Sequence, residues 1–504
     1  YRAVYDLKGN TFTAERFINL RAREIPAARL RDYAAFRRAV VADEAQQLAL
    51  DNTQQGTPKP PENVKADELY EAGLSALQAQ NYRGAAELLK RVVELEPKHK
   101  SAWNDLGNAY LAQRRTADAI AAFQKQIEIN PFDEFAYNNL GRAWWEKRDY
   151  AKGAEAFYKQ IEVNPLDKFA HRNLGIMYLE EHKDREALPE LEKATSISPQ
   201  DAQAFISLGQ AQLDLGDDAK ALASFDRAVQ IAPAPGAWNN IAYQLSLKGV
   251  HLDLAQQYAE SAVASTAATL RNLNADNMQL EQQALVISLA AQWDTLGWVH
   301  FQRGNLDQAE QFIRAAWLLG QHGEVGDHLA QVYEKRGEKE KAIQTYAQAL
   351  AAYKPLPETR QRLAALLVSS KKPEGDKNAP AKNAAGKSAA PGKPLDMQIE
   401  MLLDQAREEL AASRTVGLGP LLQETAQADF YLVLGPGAKV EETRFISGSD
   451  KLKPFADALR GAKIKFTFPD TTPTRLLRRG TLSCVPAGGC NFVLLPADDL
   501  SGAQ

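Results

Sequence analysis

Between residues 66 and 353, apolar residues recur at helical spacing, and proline interrupts the chain at a constant interval. Pro97, Pro131, Pro165, Pro199 and Pro233 follow one another every 34 residues. Proline lacks the backbone N–H that a helix interior needs and disfavours helix at the preceding residue, so each proline is expected to end a helix. A unit of this length cannot bury its apolar face alone, which predicts paired helices that stack on their neighbours.

The unit that follows Lys100 shows the pattern most fully. It carries Trp103, Leu106, Gly107, Tyr110, Ala119, Phe123 and Pro131. These residues match the tetratricopeptide pattern, W-x2-L-G-x2-Y followed by A-x3-F and P, at every position. Small residues such as Gly107 and Ala119 allow the two helices of a unit to approach, while the large ones fill the gap. The chain therefore resembles a tetratricopeptide repeat protein.

The same frame returns in other units with substitutions. Its residues, unit by unit, are Gly73, Ala85, Leu89 and Pro97; Tyr137, Leu140, Gly141, Trp144, Gly153, Phe157 and Pro165; His171, Leu174, Gly175, Tyr178, Ala187, Leu191 and Pro199; Phe205, Leu208, Gly209, Ala221, Phe225 and Pro233; Trp238 and Ala242; Trp293, Leu296, Gly297 and Ala309; and Leu329, Ala330, Tyr333, Ala342 and Tyr346. The predicted fold class is mainly α, a right-handed α-solenoid of about eight repeats with a small C-terminal α+β domain.

Domain boundaries follow from composition and from breaks in the repeat. The frame breaks at about residues 265–290, a stretch too long for a loop. It is interpreted as an elongated helix with a protruding excursion, which either binds a partner or only pads the repeat array. The predicted parts are a β-hairpin plus helix at 1–50 left from a preceding domain, a linker at 51–65, the solenoid at 66–370 ending in a capping helix, a disordered linker at 371–395, and an α+β domain at 396–504.

The C-terminal domain is expected to begin with a helix at about 396–413 and to continue in the order β-β-α-β-β-β. ADFYLVLG, VEETRFIS and KIKFTFPD are predicted strands, and the final two strands form a hairpin around VPAGG. Cys484 and Cys490 flank that turn, and their spacing permits a disulfide across the hairpin. The alternative is a pair of free thiols.

Composition narrows the function classes. The chain has 504 residues, a formal net charge of −4 and a pI near 6.1, without the basic excess of a nucleic-acid-binding protein. No apolar run is long enough to predict a transmembrane segment. The seven histidines lie between His99 and His328, far in sequence from both cysteines, and no metal-binding or nucleotide-binding motif is complete. The sequence therefore predicts no cofactor, no metal and no enzymatic activity.

A second resemblance concerns the whole arrangement. YDLKGNTFTAERFINLRAREIP and YAAFRRAVVADEAQQLAL near the start, with AAQWDTLGWVHFQRGNLDQAEQFIRAAWLLGQHGEVGDHLAQVYEKRGEKEKA later, are similar to bacterial envelope proteins. In those proteins a β-rich domain and a transglutaminase-like domain precede tetratricopeptide repeats. The resemblance implies a periplasmic or extracellular location. It does not carry over catalysis, because no cysteine precedes Cys484.

The resemblance to tetratricopeptide repeats also implies a groove. In this family, positions two, five, six, nine, twelve and thirteen of each repeat face inward, when the tryptophan of the pattern is position four. Amides there can bond an extended peptide backbone, and aromatic rings there can anchor a partner or lean on the neighbouring repeat. The candidate partner-binding residues are Asn104, Asp105, Asn108, Asn139, Arg142, Trp145, Arg172, Asn173, Asn240, Tyr243 and Trp298.

The predicted function is a non-enzymatic scaffold that binds a protein or peptide in the groove of the repeats. The C-terminal domain is expected to offer a second protein contact, and a role in a larger envelope assembly fits both. The alternative is an accessory C-terminal portion of a longer transglutaminase-like enzyme.

Overall fold

The computed structural model describes residues 65–275, 280–369, 394–419, 421–460, 462, 464–469, 474–486 and 489–496. The predictions for residues 1–50 and almost all of those for the linkers at 51–65 and 371–395 lie outside this part of the chain. The chain divides into two compact units, with the boundary between Ile241 and Ala242. Below, the first unit means the described residues up to 241, and the second unit means those from 242 onward.

The first unit is built of helix pairs in which each helix packs against the next. The helices are α1 (Ala66–Gln78), α2 (Tyr82–Leu95), α3 (Ala102–Ala112), α4 (Thr116–Ile129), α5 (Glu134–Glu146), α6 (Tyr150–Val163), α7 (Lys168–Glu180), α8 (Asp184–Ile197), α9 (Ala202–Asp214) and α10 (Asp218–Ile231). Helix α11 (Pro235–Lys248) begins in this unit. The prediction of a mainly α fold of tandem helix pairs is confirmed.

Local sequence explains where these helices begin. Asp133, Asp167 and Asp201 stand 34 residues apart, and each accepts a hydrogen bond from a backbone N–H in the first turn of the helix that follows it. The turn inside each pair also repeats, because Gln80, Arg114, Arg148 and His182 have φ between 55° and 59°. Gly216 occupies the next equivalent position, with φ 82°.

The core of each pair depends on a glycine facing a large side chain. Gly107 faces Phe123, Gly141 faces Phe157, and Gly209 faces Phe225, so closely that a Cβ on any of these glycines would lie under 3.0 Å from the ring. The three phenylalanine rings are fully buried. The glycine and aromatic positions of the repeat are therefore two halves of one contact.

The second unit continues with α12 (Leu252–Leu270), α13 (Leu280–Gln302), α14 (Leu306–Gly320), α15 (Gly323–Lys335), α16 (Lys339–Ala351), α17 (Pro357–Ser369) and α18 (Leu395–Arg414). Helix α17 corresponds to the predicted capping helix. Helix α18 packs against α16 and α17, and one hydrophobic core joins Trp298, Tyr346, Leu363 and Leu403.

A five-stranded antiparallel sheet follows α18. Its strands are β1 (Thr415–Gly419), β2 (Ala426–Leu434), β3 (Val440–Gly448), β4 (Leu476–Val485) and β5 (Gly489–Leu494), in the spatial order β1-β5-β4-β2-β3, with α19 (Ala456–Arg460) after β3. Cys484 and Cys490 face each other across β4 and β5 and form a disulfide. The predicted small C-terminal α+β region is confirmed.

Two details of the C-terminal prediction are wrong. Strand β1 was not expected, and the described residues of KIKFTFPD form no strand. In that segment Phe466 and Phe468 pack on Trp293 of α13, with ring centroids 6.3 and 6.5 Å away. The alternating aromatic residues of this segment pack on a helix. Alternation of apolar and polar residues in the sequence does not distinguish such packing from a β-strand.

Residues 271–275, which follow α12, lie against the sheet. The amide of Ala275 donates to Glu442 Oε2 at 2.8 Å, and Arg444 Nη1 donates to the carbonyl of Ala275 at 3.0 Å. Arg475 donates to the carbonyl of Leu273 and also bonds Glu441 and Glu442. Polar contacts therefore hold Leu273 and Ala275 against β3 and the start of β4.

Candidate functional site

Polar side chains of neighbouring repeats in the first unit bond one another in a regular ladder. With Trp103 as position four, a residue at position five bonds the residue at position six of the next repeat. Tyr70 donates to Asp105 Oδ2 at 2.7 Å. Asn139 Nδ2 donates to Asn104 Oδ1 at 3.0 Å, and Asn173 Nδ2 donates to Asn138 Oδ1 at 3.0 Å.

The ladder changes the role of several predicted binding residues. Asn139 is only 8 % exposed, and its donor is taken by Asn104, so its amide is not open to a peptide backbone. Burial raises the pKa of the Asp105 carboxyl although the Tyr70 hydrogen bond lowers it. Burial together with the Asp105 contact raises the pKa of Tyr70 to about 12. These groups tie one repeat to the next.

An open pocket of about 600 Å³ lies beside the ladder in the first unit. Three of the predicted residues line it: Asn108, Arg142 and Trp145. The other lining residues are Leu111, Ala112, Glu146, Arg148, Tyr150 and Glu180. Helices α3, α5 and α7 and the start of α6 thus contribute, so the pocket is assembled from three repeats.

The ring of Trp145 forms both a wall of the pocket and part of the core. Its Nε1 donates to Glu180 Oε2 at 2.7 Å, which joins α5 to α7 across the pocket. The ring also packs against a cluster containing Phe157, Leu174 and Met177. Trp145 therefore leans on the neighbouring repeat, as one interpretation of the sequence expected, and it remains partly exposed.

The charged groups of the pocket are nearly balanced. Among the described residues, the side chains of Asn108, Arg142, Glu146 and Arg148 have no hydrogen-bond or ion-pair partner. Two guanidinium groups and one carboxylate are thus available to a bound molecule, with Trp145 and Tyr150 as apolar surfaces. Tryptophan, tyrosine and arginine are the residues most enriched in the energetic centres of protein interfaces.

The remaining predicted residues lie outside the pocket. Arg172 pairs with Asp201 at 2.7 Å, and Asn240 is exposed on α11. In the second unit, Tyr243 donates to Glu324, and burial followed by the Glu324 charge raises its pKa. Trp298 is 6 % exposed and stacks on His328 at 4.2 Å, so the expectation that it is an exposed anchor is wrong.

Sequence reasoning missed part of the pocket. Glu146 and Glu180 occupy position thirteen, so the positions that predicted Trp145 would also have identified them. Arg148 and Tyr150 lie at the turn between α5 and α6, for which the repeat pattern predicts no inward direction. Within the ranges that the structure describes, no group of histidine, cysteine or acidic residues could hold a metal ion. No described helix is long and apolar enough to cross a bilayer.

Comparison with known proteins agrees with the repeat pattern. Residues 70–134 and 172–236 match one tetratricopeptide repeat family model, and residues 327–359 match another. No curated protein sequence matches the chain.

Solved structures resemble parts of the chain. The crystal structure of MamA is 24 % identical and covers 32 % of this chain and 94 % of its own, with a TM-score of 0.31. YrrB, described as a TPR protein with an unusual peptide-binding site, is 20 % identical, with 36 % and 92 % covered and a TM-score of 0.30. A tetratricopeptide repeat protein from Parabacteroides merdae is 14 % identical, with 53 % and 98 % covered and a TM-score of 0.42. The family models thus identify tetratricopeptide repeats in both units of this chain.

Proposed function

We propose that the first unit binds a segment of a partner polypeptide across the pocket lined by Arg142 and Trp145. One observation carries the proposal: charged and amide groups without internal partners converge beside two aromatic rings, on helices from three repeats. A partner side chain or backbone would give those groups hydrogen bonds, while the rings exclude water around them.

The character of the pocket favours a polypeptide over an enzyme substrate. Arg142 and Arg148 face Glu146 and Glu180 in one space, which suits a ligand with several small polar and apolar groups. The structure places no histidine or cysteine among the lining residues. Binding without chemistry is therefore the function that this arrangement supports best.

Arg142 provides the sharpest test, because its side chain has no described partner and its loss leaves no buried group unpaired. Chemical crosslinking of the full chain in its native source, followed by mass spectrometry, would identify the partner. We expect Arg142→Ala to weaken binding of that partner at least tenfold, as loss of a central interface arginine does. The melting temperature should stay unchanged.

Two further variants complete the design. Arg185→Ala removes an exposed arginine from α8, outside the pocket, and should leave binding unchanged. Trp145→Ala should weaken binding as well, but it also removes core contacts, so binding must be compared at equal folded fraction. Unchanged affinity in Arg142→Ala and Trp145→Ala would rule out the pocket as the binding site.

The larger setting of this function is also a proposal. The similarity of the N-terminal residues to transglutaminase-like envelope proteins supports a periplasmic or extracellular assembly, with the sheet of the second unit as a second protein contact. It equally supports the alternative of an accessory portion of a longer enzyme. Sequencing the coding region upstream of Tyr1 separates these two, because a domain with cysteine, histidine and aspartate there favours the enzyme.

A further inference from the structure

Four large apolar side chains are exposed at the N-terminal ends of two adjacent first helices in the first unit. Phe132 and Phe135 flank the start of α5 and are 79 % and 66 % exposed, while Leu166 and Phe169 flank the start of α7 and are 68 % and 46 % exposed. These four residues are called the apolar ridge below. None of them lines the pocket.

The repeat does not require apolar residues at these positions. Phe132 and Leu166 are equivalent by the period of 34, as are Phe135 and Phe169. The preceding repeat has Lys98 and Ser101 at the same two places, and the following repeat has Gln200 and Gln203. Because those repeats form the same helix pairs with polar residues there, the ridge is not needed for folding.

Hydrogen bonds show that these helix starts lie side by side. Gln126 Nε2 donates both to the carbonyl of Lys100 at 2.5 Å and to Asp133 Oδ2 at 2.7 Å, which joins the start of α3 to that of α5. Asn164 Nδ2 donates to Glu134 Oε2 at 2.6 Å, which joins α5 to the loop before α7. Lys98 and Lys100 therefore border the ridge on one side.

The area of the ridge is large enough to mark an interface. A side chain of this size presents on the order of 150–200 Å². The four together leave on the order of 400 Å² of apolar surface in water, which is comparable to the largest patch on a typical monomer and is often functional.

Charge around the ridge indicates what covers it. Three carboxylates at the starts of α5 and α7 are engaged: Asp133 and Asp167 cap the two helices, and Glu134 accepts from Asn164. The lysines are not, since Lys98 and Lys100 have no described partner and Lys168 contacts only the ring of Phe169, at 4.9 Å. The charge available to a ligand at the ridge is therefore positive.

We infer that the apolar ridge docks a polypeptide segment of another protein that carries large apolar side chains flanked by aspartate or glutamate. Equivalent points on packed neighbouring helices lie about 10 Å apart. An extended chain spans about that distance in three residues. Two apolar residues of the partner at that spacing would cover the aromatic residues of α5 and α7, while its carboxylates meet the lysines.

The test uses a variant that copies the protein's own next repeat. The ridge variant combines four substitutions: Phe132→Gln, Phe135→Gln, Leu166→Gln and Phe169→Gln. They give both ridge repeats the glutamines that the following repeat carries as Gln200 and Gln203, so the chain should fold normally. Leu95→Gln is the matched control, because Leu95 is an exposed apolar residue outside the ridge. The probe is a displayed library of random dodecapeptides selected on the full chain.

The expected result is a group of selected peptides with at least two large apolar residues and a net negative charge. Their binding should fall at least tenfold on the ridge variant, stay unchanged on Leu95→Gln, and weaken severalfold between 0.05 and 0.5 M salt. If every selected peptide binds the ridge variant as tightly as the wild type, the inference is wrong. Ridge-dependent peptides that are basic would also overturn it.

The same variant distinguishes other occupants. Binding to phosphatidylserine vesicles that the ridge variant loses, without any ridge-dependent peptide, would assign the ridge to a membrane surface instead. If the wild type self-associates in sedimentation experiments and only the ridge variant does not, the ridge would be assigned to a second copy of this chain. Binding to the Arg142→Ala variant is measured in parallel. The pocket hypothesis and the ridge hypothesis can then be rejected independently of each other.

Discussion

At the scale of single residues, the contact between Gly107 and Phe123 shows how the repeat pattern becomes packing. A Cβ added to Gly107 would lie 2.4 Å from Cε1 of the buried ring. The pattern predicted that small residues let the helices approach, and the structure identifies the atoms that meet. This part of the fold was predictable because both residues belong to one local unit.

Gly107→Ala should lower the free energy of unfolding by about 1–3 kcal/mol, because the ring must shift within a packed core. Gly236 of α11 has no positive φ, and a methyl group added there would have nothing within 4 Å. Gly236→Ala should therefore change stability by less than about 1 kcal/mol, in the stabilising direction. Urea unfolding of both variants measures this, and equal effects would contradict the packing argument.

The candidate site at this scale was only partly predictable. Asn139, Arg142 and Trp145 all satisfied the same rule of inward positions. The structure separates them, because Asn139 bonds Asn104 of the preceding repeat whereas Arg142 has no described partner. Which polar side chain is engaged depends on the register between stacked repeats, and no single repeat contains that information.

At the scale of elements, a buried contact between a histidine and an aspartate joins α13 to α15. His328 Nδ1 lies 3.0 Å from Asp294 Oδ2, and both side chains are nearly inaccessible to solvent. Burial lowers the pKa of His328, but the charge and hydrogen bond of Asp294 outweigh it, with smaller contributions from Glu324 and Asp327, and the net pKa is raised. Trp298 stacks on the same imidazole at 4.2 Å.

His328→Gln should destabilise the second unit in a pH-dependent way. Because the folded-state pKa is raised above that of the unfolded chain, about 6.5, the stabilisation is fully present below that pH and is lost as the pH rises through the folded-state pKa. The variant should lose about 3 kcal/mol at pH 6, since it leaves Asp294 buried without its partner, and less at pH 9. Denaturant unfolding followed by tryptophan fluorescence measures the free energy lost by the variant at each pH. Asp294→Asn should likewise lose more unfolding free energy at pH 6 than at pH 9. A difference that stays constant from pH 6 to 9 would show that the pair is not ionised.

The secondary-structure prediction was wrong for one segment that has the sequence pattern of a strand but packs on a helix. KIKFTFPD alternates as a strand does, yet its aromatic residues pack on Trp293. The helices were predicted more reliably, because proline and the spacing of apolar residues act within a few positions of one another.

At the scale of the whole molecule, the sheet belongs to the second unit and is not an independent module. Arg475 is the centre of this attachment, because it donates to the carbonyl of Leu273 and to Glu441 and Glu442, while Glu442 accepts from the amide of Ala275. The bonds to Leu273 and from Ala275 connect residues 202 and 167 positions apart in the chain.

Arg475→Ala should release the end of α12 from the sheet. Loss of hydrogen bonds to charged groups of this kind should speed hydrogen exchange at the Ala275 amide about tenfold or more. Arg407→Ala is the control, because the described partner of Arg407 is Asp404 of the same helix, α18. Unchanged exchange at Ala275 in the Arg475 variant would mean that apolar packing, including Trp293 on Phe466, holds the sheet by itself.

The sequence by itself determined the repeat length, the helix pairs, their start and end residues, and the fit of glycine against an aromatic ring. These features follow from interactions within one unit, so a local pattern encodes them. Only the tertiary structure decided which amides form the ladder, which groups converge in the pocket of Arg142 and Trp145, and where the sheet is held. Those outcomes depend on contacts between residues from 35 to about 200 positions apart, whose alignment is set by how the helices stack.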